Sequence, residues 1–182
     1  MDFVVKIVKW FRKQRTKYLM PLGKLFVKLR IKALYLTILA FILGVVAVYY
    51  LFLNNFYFVL FGVLHLIFDG LDGVVARANN KETKFGAHFD NISDRSIVIL
   101  ALIKSYFYFN DYFVLIVLGI YLLHHLIYIF SNLESKVAYS RSLTLVLYFF
   151  GFYVLGYFLV GVLSLYGLSQ QFNYFLKKRF TT

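Results

Sequence analysis

The residues best suited to chemistry are four aspartates set in an otherwise apolar stretch. Asp69 and Asp72 are three positions apart and Asp90 and Asp94 four apart, so on helices each pair shares a face. The first pair ends one long apolar run, the second begins the next, and a short basic loop joins them, so the four acids face one place. They are half of the chain's eight Asp and Glu, gathered within 26 residues. An uncompensated acid at the centre of a spanning helix costs about 2.5–3.5 kcal/mol, and several together on the order of 10 kcal/mol. Divalent metal is the natural compensator. Hard oxygen donors in a chain without cysteine point to Mg²⁺ or Mn²⁺ rather than zinc.

The neighbours of the acids have a matching character. Gly73 follows Asp72, Ala76 lies three residues further on, and Gly86 stands four residues before Asp90. Small residues there let a flat or bulky group approach the backbone. Arg77, one turn beyond Gly73, supplies a planar guanidinium suited to phosphate oxygens. Metal-holding acids, a cation for phosphate and space beside both describe a metal-dependent site for a pyrophosphate.

The elements that must position these residues are membrane spans. The chain has 182 residues and is 62% hydrophobic, above the roughly 45–50% of soluble domains. A spanning helix needs about 20 residues. Apolar runs cover about 33–53, 56–77, 85–109 and 112–130, and the block 142–176 is long enough for a helical hairpin turning near 151–156. Asn54-Asn55 and Asn110-Asp111 mark turns between spans. The expected fold is therefore all-α and integral to the membrane: a single bundle of six transmembrane helices over 33–182, with both acid pairs at similar depth.

Residues 1–32 form a basic amphipathic juxtamembrane segment. Phe3, Val4, Ile7, Val8 and Phe11 recur at helical spacing between Lys6, Lys9, Arg12 and Lys13, and a second short stretch of the kind follows Pro21. Charges recurring up to Lys32 argue against a cleaved leader. Ten of the twenty Lys and Arg lie in this segment; the others lie at 77–84, 136–141 and 177–179, apart from Arg95 and Lys104. With six spans, the positive-inside bias puts those segments, both termini and the acidic site on the cytoplasmic side of the cell membrane. The net charge of +12 thus reads as attraction to lipid headgroups, not to nucleic acid.

The pattern D-x-x-D-G-x-x-A-R, eight residues, then G-x-x-x-D-x-x-x-D resembles the signature of the CDP-alcohol phosphotransferases, membrane enzymes of phospholipid synthesis. Asp69, Asp72, Gly73, Ala76, Arg77, Gly86, Asp90 and Asp94 meet it without a gap. The resemblance implies transfer of a substituted phosphate, of phosphatidyl or archaetidyl type, from a CDP-linked lipid to a small polar alcohol, with release of CMP. It implies that Asp69, Asp72 and Asp90 hold two Mg²⁺ or Mn²⁺ ions, with Asp94 the general base and in touch with a second ion. Asp69, Gly73, Ala76, Arg77 and Gly86 would line the nucleotide pocket, and a homodimer is implied as well. Asp94-Arg95 is similar to the pair in the inositol-phosphate branch, which also carries basic residues where Lys136 and Arg141 stand. Those three are the acceptor-phosphate candidates, for inositol phosphate or glycerol phosphate. Transfer of a CDP-activated soluble headgroup to a lipid hydroxyl is the alternative within the family. A divalent-cation transporter is the alternative outside it, but would not need Gly73, Ala76, Arg77 and Gly86 at these spacings. His65 reads as a packed or hydrogen-bonded side chain, and His88, His124 and His125 receive no role.

Overall fold

In the computed structural model, which describes residues 2–79, 83–131 and 140–180, the described residues form seven helices and no strand. In chain order these are α1 Asp2–Lys28, α2 Ala33–Tyr50, α3 Asn55–Ala78, α4 Lys84–Phe109, α5 Tyr112–Ser131, α6 Ser140–Phe149 and α7 Tyr153–Phe180. Among the described residues, α2, α3, α5 and α7 are long and apolar enough to cross a membrane. The described residues are thus all-helical, and four apolar helices suit a multi-pass membrane protein. α4 has 26 residues and carries Asp90, Asp94, Arg95 and Lys104.

Turn chemistry sets three of the helix boundaries. Asn54 is extended, and its side chain accepts the Tyr57 amide, capping α3. Asn110 has φ of 50°, a left-handed conformation that Asn tolerates. Asp111 then accepts the Phe113 amide at 2.9 Å and so caps α5. Between α6 and α7 the chain reverses over residues 150–152, where Gly151 adopts φ of 80°. α1 differs from the sequence reading: one helix runs through Pro21 where two short stretches were expected. Proline removes one amide and frees the carbonyl four residues back, that of Lys17. Both residues are exposed, so surrounding solvent can satisfy that carbonyl without a break.

The chain forms two compact units, residues 1–97 and 98–182, with α4 contributing to both. In the first, Leu36 of α2 and Leu71 and Val75 of α3 form a buried cluster, against which Leu19, Phe26 and Val27 of α1 pack. The buried face of α2 is a stripe of small residues, Thr37, Ala40, Gly44 and Ala47, which lets backbones approach closely. A Cβ at Gly44 would stand 2.6 Å from Ile97 Cδ1 and 3.1 Å from His65 Nδ1. His65 donates through Nδ1 to the Ala40 carbonyl at 2.8 Å, tying α3 to α2. That buried histidine is a packing element between helices.

In the second unit, Val98, Leu102, Val114, Val117, Tyr121 and Val160 form the core. Two buried polar contacts tie its helices: Ser105 with Tyr148 at 2.9 Å, and Gln171 Nε2 donating to the His124 carbonyl at 3.3 Å. The Tyr157 hydroxyl donates to Asp111 Oδ2 at 2.8 Å.

Candidate metal and nucleotide site

α3 presents two stripes. Phe68, Leu71 and Val75 enter the cluster shared with α1 and α2. Asp69, Asp72, Gly73 and Ala76, at spacings of three and four, form a second stripe, and α4 carries Gly86, Asp90 and Asp94 four apart. At 1.5 Å per residue, Asp69 lies about 13 Å from the end of α3 and Asp90 about 9 Å from the start of α4. The two helices therefore bring acids to comparable depth on either side of the short connection.

Carboxylate oxygens of Asp69, Asp72 and Asp90 all lie within 4.8 Å of one another. Asp69 and Asp90 are half-buried, and Asp72 is 6% exposed. Three carboxylates this close repel by about 3.5–4 kcal/mol per pair at an effective dielectric of about 20. A hard divalent cation would suit these three oxygen donors and offset their repulsion. Asp94 lies one turn beyond Asp90, about 6 Å along α4, is half-buried, and is not one of the three clustered acids.

Asp72 has a partner that the spacing of the acids did not reveal. Thr37 Oγ1, on α2, lies 2.7 Å from Asp72 Oδ2 and 3.2 Å from the Ala33 carbonyl. The hydroxyl has one proton, and the nearer, charged oxygen is the stronger acceptor. Thr37 is itself 6% exposed, so α2 holds the most buried acid of the cluster from inside the bundle. The sequence signal was present in the small-residue stripe, where Thr37 is the polar member.

Beside the acids lies a cavity of about 460 Å³, within the usual range for small-molecule sites. Six of the eight positions of the sequence pattern line it: Asp72, Gly73, Ala76, Arg77, Gly86 and Asp90. Lys32, Ala33 and Thr37, from the start of α2, complete one wall. A Cβ at Gly86 would stand 3.0 Å from Thr83 Oγ1, the oxygen that accepts the Gly86 amide at the start of α4, so a side chain there would press on that bond. Arg77 folds back along α3, with Nη1 3.3 Å from where a Gly73 Cβ would be and Nη2 donating to Thr16 of α1 at 2.9 Å. Cation and acids thus border the same space, as a phosphate chelated by a metal requires.

The acceptor candidates divide. Arg95 follows Asp94 on α4 and is half-buried, Arg141 lies in the first turn of α6 in the second unit, and Lys136 falls outside the described residues.

Comparison with known proteins shows a family likeness. The profile of a family described as CDP-alcohol phosphatidyltransferase matches residues 31–172. The chain is 36% identical over 73 residues to a CDP-diacylglycerol–glycerol-3-phosphate 3-phosphatidyltransferase of Wigglesworthia glossinidia brevipalpis, covering 39% of this chain and 40% of that one. It is 37% identical over 78 residues to a CDP-diacylglycerol–serine O-phosphatidyltransferase of Methanocaldococcus jannaschii, covering 43% of this chain and 35% of that one. The matches thus span well under half the length of either relative. No solved structure matches the chain.

Proposed function

Because the chain belongs to the CDP-alcohol phosphatidyltransferase family, we propose that it is a transferase of phospholipid synthesis that moves a substituted phosphate from a CDP-linked lipid to the hydroxyl of a small polar alcohol and releases CMP. One observation carries the reading: six pattern residues, including two of the three clustered acids, line one cavity of nucleotide size. Both named relatives use a CDP-linked diacylglycerol, which favours a lipid donor over a CDP-activated headgroup.

Asp69, Asp72 and Asp90 would hold Mg²⁺ or Mn²⁺, two ions in the full complement, with Asp94 beside the second. When bound, the metal neutralises charge on the donor's pyrophosphate. Arg77 pairs with phosphate oxygens, while Gly73, Ala76 and Gly86 leave room for the nucleotide and fix its approach. Asp94 removes the acceptor's hydroxyl proton, since a neutral hydroxyl is a weak nucleophile. The acceptor oxygen bonds to the lipid-bearing phosphorus as the bond from that phosphorus to the CMP oxygen breaks. CMP leaves with the electron pair, and the proton stays on Asp94.

Arg95, Lys136 and Arg141 serve the acceptor's phosphate, making the acceptor a phosphorylated alcohol: inositol phosphate by the Asp94-Arg95 pair, or glycerol phosphate by analogy with the first relative. Six spans would need α4, about 39 Å long, beside α2, α3, α5 and α7, and a sixth at α6, whose ten described residues fall short of the roughly 20 that a crossing takes. α1 would be a basic juxtamembrane helix, and by the positive-inside bias the basic segments, and the site with them, would face the cytoplasm. The working form is a homodimer, an expectation that comes from the family resemblance. CMP release from purified protein with CDP-diacylglycerol and Mg²⁺ or Mn²⁺, across inositol phosphate, glycerol phosphate, serine and inositol, tests the whole. Release with one phosphorylated acceptor is expected. Release with serine alone refutes the acceptor assignment, and release with none of the four refutes the lipid-donor reaction.

A further inference from the structure

Arg77 meets the donor's phosphates on the reading above, and two contacts restrain it. Nη2 donates to Thr16 Oγ1 at 2.9 Å, a hydrogen bond to a residue of α1 that lies 61 positions earlier. Nη1 lies 3.3 Å from where a Gly73 Cβ would stand, so the guanidinium rests over a residue that offers no side chain to displace it.

The helix that supplies Thr16 is itself seated on α3. A Cβ at Gly23 would stand 2.8 Å from Val74 Cγ1 and 3.4 Å from the Val74 carbonyl oxygen, so α1 comes as close as a glycine permits. Thr16 precedes Gly23 by about 10 Å along α1, while Arg77 follows Val74 by about 4.5 Å along α3. Going back from Gly23 to Thr16 on α1 thus leads toward the end of α3 that carries Arg77, and the arginine's long stem spans the rest. Gly23 sets the distance, and Thr16 uses it.

We propose that Thr16 is a positioning residue for the transfer reaction, through which α1 holds Arg77 in the orientation that meets the donor's pyrophosphate. The proposal rests on Arg77 facing that pyrophosphate. A long side chain ordered before the ligand arrives loses less freedom on binding. Losing the hydroxyl therefore weakens capture of the donor and leaves the chemistry of the bound complex nearly intact.

The test is steady-state CMP release by full-length protein in detergent or lipid discs, with CDP-diacylglycerol varied and the best acceptor saturating. Thr16→Val keeps the β-branched shape and removes the hydroxyl; Thr16→Ser keeps the hydroxyl. The expected result is a KM for donor raised about tenfold in Thr16→Val, as for a lost hydrogen bond to a charged group, with kcat within about twofold and Thr16→Ser close to wild type. In an Arg77→Ala background, Thr16→Val is expected to add nothing further. Equal KM in wild type and Thr16→Val, equal damage from Val and Ser, or a full effect of Thr16→Val without Arg77 would each overturn the proposal. Absence of CMP release from wild type is a separate outcome, which overturns the transferase reading and this inference with it.

Discussion

Replacing Thr37 by valine removes one oxygen and almost no volume, and that oxygen is the group on α2 that touches the acid cluster. It lies 2.7 Å from Asp72 Oδ2, and both residues are 6% exposed, so water has little access to replace it. A hydrogen bond to a charged group contributes about 1.5–3 kcal/mol, and loss of a partner that orients a metal ligand typically weakens metal affinity about 10–100-fold, or roughly 1.4–2.7 kcal/mol. The two estimates agree. Thr37→Val is therefore expected to shift the Mn²⁺ concentration for half-maximal CMP release upward by about 10–100-fold, with Thr37→Ser near wild type. The assay is CMP release against buffered free Mn²⁺ at saturating donor and acceptor. An unchanged Mn²⁺ midpoint in Thr37→Val, with folded protein, would refute the claim that α2 orients the metal-holding acid.

Two further substitutions separate the roles of other residues. Asp94→Asn is expected to lower turnover by at least about 100-fold, the lower range for a lost general base, while Mn²⁺-supported binding of CMP, read by calorimetry, stays within a few-fold of wild type; equal losses of binding and turnover would remove Asp94 from the base role. Gly23→Val puts a branched side chain against Val74 at a 2.8 Å approach, and overpacking of this kind costs about 1–3 kcal/mol. A lower midpoint of thermal unfolding is expected, and a midpoint equal to wild type would mean that α1 does not seat on α3 as described.

Much of the helix plan was legible because several apolar runs meet residues with turn chemistry, although α2 stops at Tyr50, before its run ends. The run 33–53 became Ala33–Tyr50 and the run 112–130 became Tyr112–Ser131, bounded by Asn54 and by the Asn110-Asp111 pair. Gly151, at the near edge of the stretch expected to hold the last turn, takes the left-handed conformation there. Grouping of Asp69, Asp72 and Asp90 also followed from spacing, since two periodic pairs flanking a short connection have few other ways to face.

What spacing within one helix could not show was register between helices. Thr37 meets Asp72 across 35 positions and Thr16 meets Arg77 across 61, and neither pairing leaves a periodic trace. The course of α1 through Pro21 was hidden for a different reason. Proline's effect depends on whether the freed Lys17 carbonyl finds a partner, which is a matter of exposure and not of local sequence.

The most direct measurement is CMP release by the purified wild type and by Asp72→Asn, each with CDP-diacylglycerol and an acceptor, first in EDTA and then with Mg²⁺ or Mn²⁺ restored. The expected result is no release in EDTA, recovery with either metal in wild type, and no recovery in Asp72→Asn. Release that persists in EDTA, or survives undiminished in Asp72→Asn, would contradict the claim that the clustered aspartates hold the metal on which the transfer depends.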